Sequence, residues 1–78
     1  MTIDHQGSEA VYRQLASILR DRIADGTYPP GRLLPARHRL AHEFGVSRGS
    51  AERALAVLRE EGLVETSQGR GVFVVRLP

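Results

Sequence analysis

The chain predicts one small α+β domain, three helices followed by a two-stranded β-hairpin. Three observations carry that class. Apolar residues recur at helical spacing in three segments between Val11 and Leu58, the stripe with which a helix buries one face. Beyond them, two runs rich in β-branched residues, 63–67 and 72–75, flank a glycine-rich tip, as in a β-hairpin. Gly26, Gly45 and Gly62 each follow a helical segment, where a residue free to turn left-handed ends a helix cheaply.

Size and composition exclude several functions. A 78-residue chain buries only about 60% of its unfolded surface, which leaves little room for an enclosed catalytic pocket. It contains no cysteine, so neither a disulfide framework nor a thiolate metal site is expected. Of its three histidines only His38 and His42 stand at i, i+4, and Arg39-Leu40-Ala41 between them lacks the glutamate of a metalloprotease helix. No metal, cofactor or enzymatic activity is therefore expected, since no nucleophile–base pair, carboxylate pair or phosphate loop can be assembled. No apolar run could span a membrane, and the polar N-terminus lacks a signal-peptide core. The expected location is cytoplasmic.

Residues 1–8 mix Gly, Ser and Gln without periodicity and read as a flexible tail, with the domain occupying 9–76. Helix one is expected from Ser8 as N-cap with Glu9 in the first turn. Val11, Tyr12, Leu15, Ile18, Leu19 and Ile23 form its apolar face, and Gly26 ends it. Thr27-Tyr28-Pro29-Pro30-Gly31 is a turn, Arg32-Leu33-Leu34 a very short strand, and Pro35 suits the opening of a second helix over about 36–44.

The second helix places Leu40, Ala41 and Phe44 on one face, and Gly45 stops it. Val46 plugs the corner, and Ser47 is a good N-cap for a third helix over about 48–61, whose stripe is Ala51, Ala54, Leu55 and Leu58. Two short helices joined by a glycine-containing turn make a helix-turn-helix. In such units the second helix can enter the DNA major groove with its N-terminal residues, here Ser47, Arg48, Gly49 and Ser50, against base edges. A plain helical hairpin with a solvated outer face is the other meaning of this stretch.

Charge distribution separates the two better than net charge, which is only +2. Six arginines (32, 37, 39, 48, 53, 59) stand between residues 32 and 59 against Glu43 and Glu52, a local balance of +4. A basic middle suits a phosphate backbone. Arg37, His38 and Arg39 crowd the first turn of helix two, where cations oppose the helix dipole by a few tenths of a kcal/mol each. A nearby polyanion reverses that penalty.

After Gly62, strands over 63–67 and 72–75 enclose Gln68-Gly69-Arg70-Gly71, with Phe73 and Leu63 expected to face the helices. An arginine between two glycines at a hairpin tip suits a minor groove or a phosphate, and equally an ordinary surface turn.

Taken together, helix, proline-glycine turn, helix-turn-helix and glycine-tipped hairpin make a winged helix-turn-helix: a three-helix core with a C-terminal two-stranded wing. The motifs Pro30-Gly31-x-Leu33-Leu34-Pro35, Leu40-Ala41-x-x-Phe44-Gly45-Val46-Ser47-Arg48, Ala54-Leu55-x-x-Leu58-x-x-Glu61-Gly62-Leu63 and Gln68-Gly69-Arg70-Gly71-x-Phe73-Val74 stand in one colinear order from about Val11 to Val75. In that order the chain resembles the N-terminal DNA-binding domain of GntR-family bacterial transcriptional regulators. The resemblance implies a repressor that reads a double-stranded, inverted-repeat operator as a homodimer. By position it implies base and phosphate contacts from Ser47, Arg48, Gly49 and Ser50, and a minor-groove approach by Gln68 and Gly69. Arg37, Arg39, Arg53 and Arg70 are expected on the phosphate backbone, with Arg48 the principal base or phosphate contact.

Three departures stand out. Family members usually carry an acidic-arginine-acidic run where this chain has Arg37-His38-Arg39, so the phosphate-contacting arginine is either displaced or replaced by His38. Glu52 occupies a position often held by arginine. The family's larger effector-binding and dimerising domain does not follow, as in an excised fragment or a stand-alone regulator, and no effector is expected. A winged-helix module that binds protein is the alternative, and it requires an exposed apolar patch.

Overall fold

The computed structural model describes residues 2–75; the expected domain end at Arg76 lies outside them, as does Met1. Three helices, α1 (Val11–Ala24), α2 (Arg37–Phe44) and α3 (Arg48–Glu60), precede strands β1 (Val64–Ser67) and β2 (Gly71–Val74). The expected α+β architecture is present. α3 lies at the centre, packing against α1, α2 and β1.

The stripe of α1 buries Leu15, Ala16, Ile18 and Leu19 against Ala51, Ala54, Leu55 and Leu58 of α3 and Leu40 and Ala41 of α2, all in one core cluster. Its start differs from expectation. α1 begins at Val11 with Ala10 as N-cap and no side-chain capping bond, so Ser8 is not the cap. Gln14 organises this end instead: Nε2 donates to the carbonyls of Asp4 (2.7 Å) and Glu9 (2.8 Å), while Oε1 accepts from the Asp4 amide (2.7 Å). These bonds lay the segment expected as a loose tail against the helix, and Ile3 joins the core at 7% exposure.

Turn chemistry sets the other boundaries. Gly45 is left-handed (φ 64°, ψ 38°) and its amide donates to the Ala41 and His42 carbonyls, closing α2. The Ser47 hydroxyl accepts from the Ser50 amide at 3.0 Å, capping α3 as expected. Glu61 follows α3 and forms a bidentate pair with Arg20 of α1, Nε to Oε1 2.8 Å and Nη2 to Oε2 2.6 Å. Arg22 braces α1 to α2: its Nη1 donates to the Tyr28 hydroxyl (2.9 Å) and to Glu43 (3.0 Å), with the guanidinium 4.9 Å from the Phe44 ring centre.

The wing is an antiparallel pair with Val64 opposite Val74 and Ser67 opposite Gly71. The predicted short strand appears as an isolated bridge, Leu33 to Phe73. Leu34 N donates to Val72 O (2.8 Å) and Val74 N to Arg32 O (2.9 Å), so the segment before α2 holds the wing from its second edge. The expected orientation of Phe73 is corrected. Val64 and Val74 are the strand residues buried under the helices, with Val72 and Leu63 partly buried beside them. Side chains alternate faces along a strand, so Phe73 points the other way, opposite Glu65 and Leu33.

Candidate nucleic-acid interface

Two helix N-termini and the wing present arginine on connected surfaces. At α2 neither a capping side chain nor an acidic residue meets the free amides of the first turn, which carries Arg37, His38 and Arg39. At α3 the first turn is likewise free of acids, and Arg48 is its first residue. Unneutralised amides with cations around them make an anion-binding arrangement.

These residues line two clefts. In an open one of about 970 Å³, His38, Arg39 and His42 of α2 meet Arg48 of α3. In the other, about 350 Å³, Arg37 and His38 from α2, Glu52 and Arg59 from α3 and Arg70 from the wing converge. Gln68 and Gly69 sit exposed at the wing tip, in a turn closed by Arg70 N to Ser67 O at 3.0 Å. Gly69 (φ 80°) and Gly71 (φ 122°) both adopt backbone that disfavours side chains.

Not every expected residue joins these clefts. Arg53 lines neither; its guanidinium lies 4.2 Å from the centre of the Tyr12 ring on α1, on the other flank of α3. Arg37 is committed in part, its Nη1 donating to Glu52 Oε2 at 2.8 Å. Gly49 is exposed, and a Cβ there would meet only the Ser47 hydroxyl at 3.9 Å. Nothing inside the protein requires glycine at that position.

Arg59, Glu52 and Tyr12 were not among the expected site residues. A helix repeats every 3.6 residues, so Arg48, Glu52 and Arg59 share one face, a pattern present in the sequence. The Tyr12–Arg53 stack depends on how α1 crosses α3 and has no sequence signature. Among the described residues no three potential metal ligands come together, no helix is long and apolar enough to cross a membrane, and Leu33 (53% exposed) is the exposed large apolar side chain.

The family described as "Bacterial regulatory proteins, gntR family" matches residues 11–74. The chain belongs to the GntR family. It is 43% identical over 68 residues to the mannosyl-D-glycerate transport/metabolism system repressor MngR of Escherichia coli K12, covering 87% of this chain and 28% of that one. The HTH-type transcriptional repressor NagR of Bacillus subtilis strain 168 is 36% identical over 74 residues, 95% of this chain and 30% of NagR. Among solved structures, AraR(DBD) in complex with operator ORX1 superposes with a TM-score of 0.81 at 28% identity, covering 96% of this chain and 99% of that one. The fold is thus the winged helix-turn-helix DNA-binding domain of GntR transcriptional regulators, a family of regulators rather than enzymes. The chain spans 25% to 30% of the length of the first curated relatives it matches.

Proposed function

We propose that this GntR domain represses transcription by reading an inverted-repeat operator as a homodimer in the cytoplasm, one domain to each half-site. α3 enters the major groove from its N-terminus, and residues 68–71 of the wing approach the neighbouring minor groove. The observation that carries this reading is the convergence of arginines from α2, α3 and the wing on one groove, next to an α3 whose first turn carries no acidic residue. Arg48 makes the principal base or phosphate contact. Ser47, Gly49 and Ser50 let the backbone come close, while Arg37, His38, Arg39 and Arg70 meet phosphates and Gln68 and Gly69 lie over the minor groove. Arg53 takes a phosphate on the flank where Tyr12 seats it. Solved AraR(DBD)–operator complexes, with chains nearly coextensive with this one, support the DNA-facing assignment.

Enrichment from a pool of random duplex DNA, followed by a salt titration on the winner, tests this. An enriched inverted repeat whose affinity falls steeply with salt is expected, because phosphate contacts release counterions. Arg48→Ala is expected to lose roughly 1–3 kcal/mol of discrimination between operator and random duplex. Unchanged discrimination would remove Arg48 from base reading. Salt-sensitive binding without enrichment would reduce the domain to non-specific binding. Absence of binding at low salt would overturn the DNA reading in favour of a protein partner.

A further inference from the structure

The acid on the groove-facing flank of α3 is hard to reconcile with a surface that serves only to attract phosphate. Glu52 stands one turn beyond Arg48 and lines the groove with Arg37, Arg59 and Arg70. It has not collapsed into the protein: its side chain is 60% exposed, and that of Arg37 is 55% exposed. The pair is asymmetric. Arg37 Nη1 donates to Oε2 at 2.8 Å, and among the described residues no hydrogen bond engages Oε1.

We propose that Glu52 is a specificity-determining residue that selects cytosine in the operator half-site, with Arg37 as its positioning residue. This rests on α3 occupying the major groove as set out above. The edges there carry the argument. Guanine offers two acceptors, thymine an acceptor and a methyl, and adenine one acceptor beside its amino group; cytosine presents its N4 amino donor. A carboxylate has only lone pairs to offer, so it repels guanine and thymine, tolerates adenine and accepts from cytosine. Arg37 supplies two things. Its charge offsets the repulsion between Glu52 and the phosphates, and its hydrogen bond engages Oε2 and leaves Oε1 to accept from a base. An exposed ion pair of this kind contributes little to stability, which leaves recognition as the consequence of placing it here.

The experiment compares duplex enrichment by the wild-type chain, Glu52→Gln, Glu52→Ala and the double variant Arg37→Glu/Glu52→Arg, each first shown by thermal melting to be folded. The wild type is expected to require a C·G pair at one half-site position, with affinity falling roughly 5- to 100-fold on replacement by G·C or T·A. At that same position Glu52→Gln is expected to move the preference to adenine and Glu52→Ala to lose it. The double variant keeps an ion pair of reversed polarity and is expected to move the preference to guanine. If the double variant and Glu52→Ala enrich the wild-type sequence with unchanged discrimination, Glu52 is only the partner of Arg37 and the proposal falls. If the wild type itself enriches nothing, the major-groove reading fails, and this assignment with it. A preference lost from every position in all variants would make Glu52 a general scaffold of the surface and also overturn it.

Discussion

Gly49 is a residue that the protein's own packing does not require to be glycine. It lies in the first turn of α3 without a positive φ, and a methyl group there would make only an ordinary van der Waals contact, with the Ser47 hydroxyl at 3.9 Å. Alanine favours a helix over glycine by roughly 0.5–1 kcal/mol, so folding alone would prefer alanine. Gly49→Ala is expected to raise stability by about 0.5 kcal/mol in urea denaturation while weakening operator affinity, since the added methyl stands between backbone and DNA. A variant that gained stability and kept full affinity would remove Gly49 from the interface. Arg53, proposed as a phosphate contact, is ordered within the protein itself: it stacks on the half-buried ring of Tyr12, and a cation over a ring near the surface contributes about 0.5–1 kcal/mol to that ordering.

Among elements, the junction of α1 with the end of α3 is the one with a pH signature. The Arg20 guanidinium, by its hydrogen bonds and then its charge, holds the Glu61 carboxyl below its ordinary value of 4.5. Folding therefore favours the ionised form. Its contribution is complete above about pH 4.5 and disappears as pH falls through the lower folded-state value. Asp25, lowered by the Thr27 hydroxyl and then its amide, titrates in the same acid range, so the comparison must be made against a variant. Glu61→Gln is expected to melt below wild type at pH 7, and the gap to close on acidification toward pH 3. A gap independent of pH would mean that the pair does not contribute through its charge.

How much of these elements could be read from the sequence follows from how local their causes are. The Gly45–Ser47 turn and the stripe of α3 were legible because a left-handed glycine, a capping hydroxyl and a 3.6-residue period act within a few residues. The start of α1 was not, because Gln14 reaches back ten residues to Asp4 and displaces the obvious cap at Ser8. Nor was the face of Phe73: residues 72–75 are all apolar, so alternation gives no sign of which side is in. The Leu33 bridge from outside the hairpin accompanies the choice that the structure makes. Of the arginines that line the two clefts, residue types and spacing had marked Arg37, Arg39, Arg48 and Arg70 but not Arg59. The Arg37–Glu52 and Arg53–Tyr12 pairings needed the crossing of separate helices.

At the scale of the whole molecule, one core serves every element. Leu58 is fully buried in the cluster that joins α1, α2 and the wing strands. Leu58→Ala is expected to cost about 2–5 kcal/mol, a large part of the roughly 5–15 kcal/mol that such a domain has in total. Urea denaturation checks this, and DNA binding is expected to fall only as far as the folded fraction does. A Leu58→Ala protein that remained fully folded yet lost affinity would instead tie the core to the geometry of α3 in the groove.

α3 also divides most of its residues. Ala51, Ala54, Leu55 and Leu58 are buried, whereas Arg48, Gly49, Glu52, Arg53 and Arg59 are exposed, with Ser50, Ala56 and Val57 half-buried between them. Inheritance therefore acts on them separately. After a gene duplication, one copy can accumulate changes in the exposed set and acquire a different operator through a series of intermediates that all fold. Descendants of such a regulator diverge in what they read long before they diverge in shape.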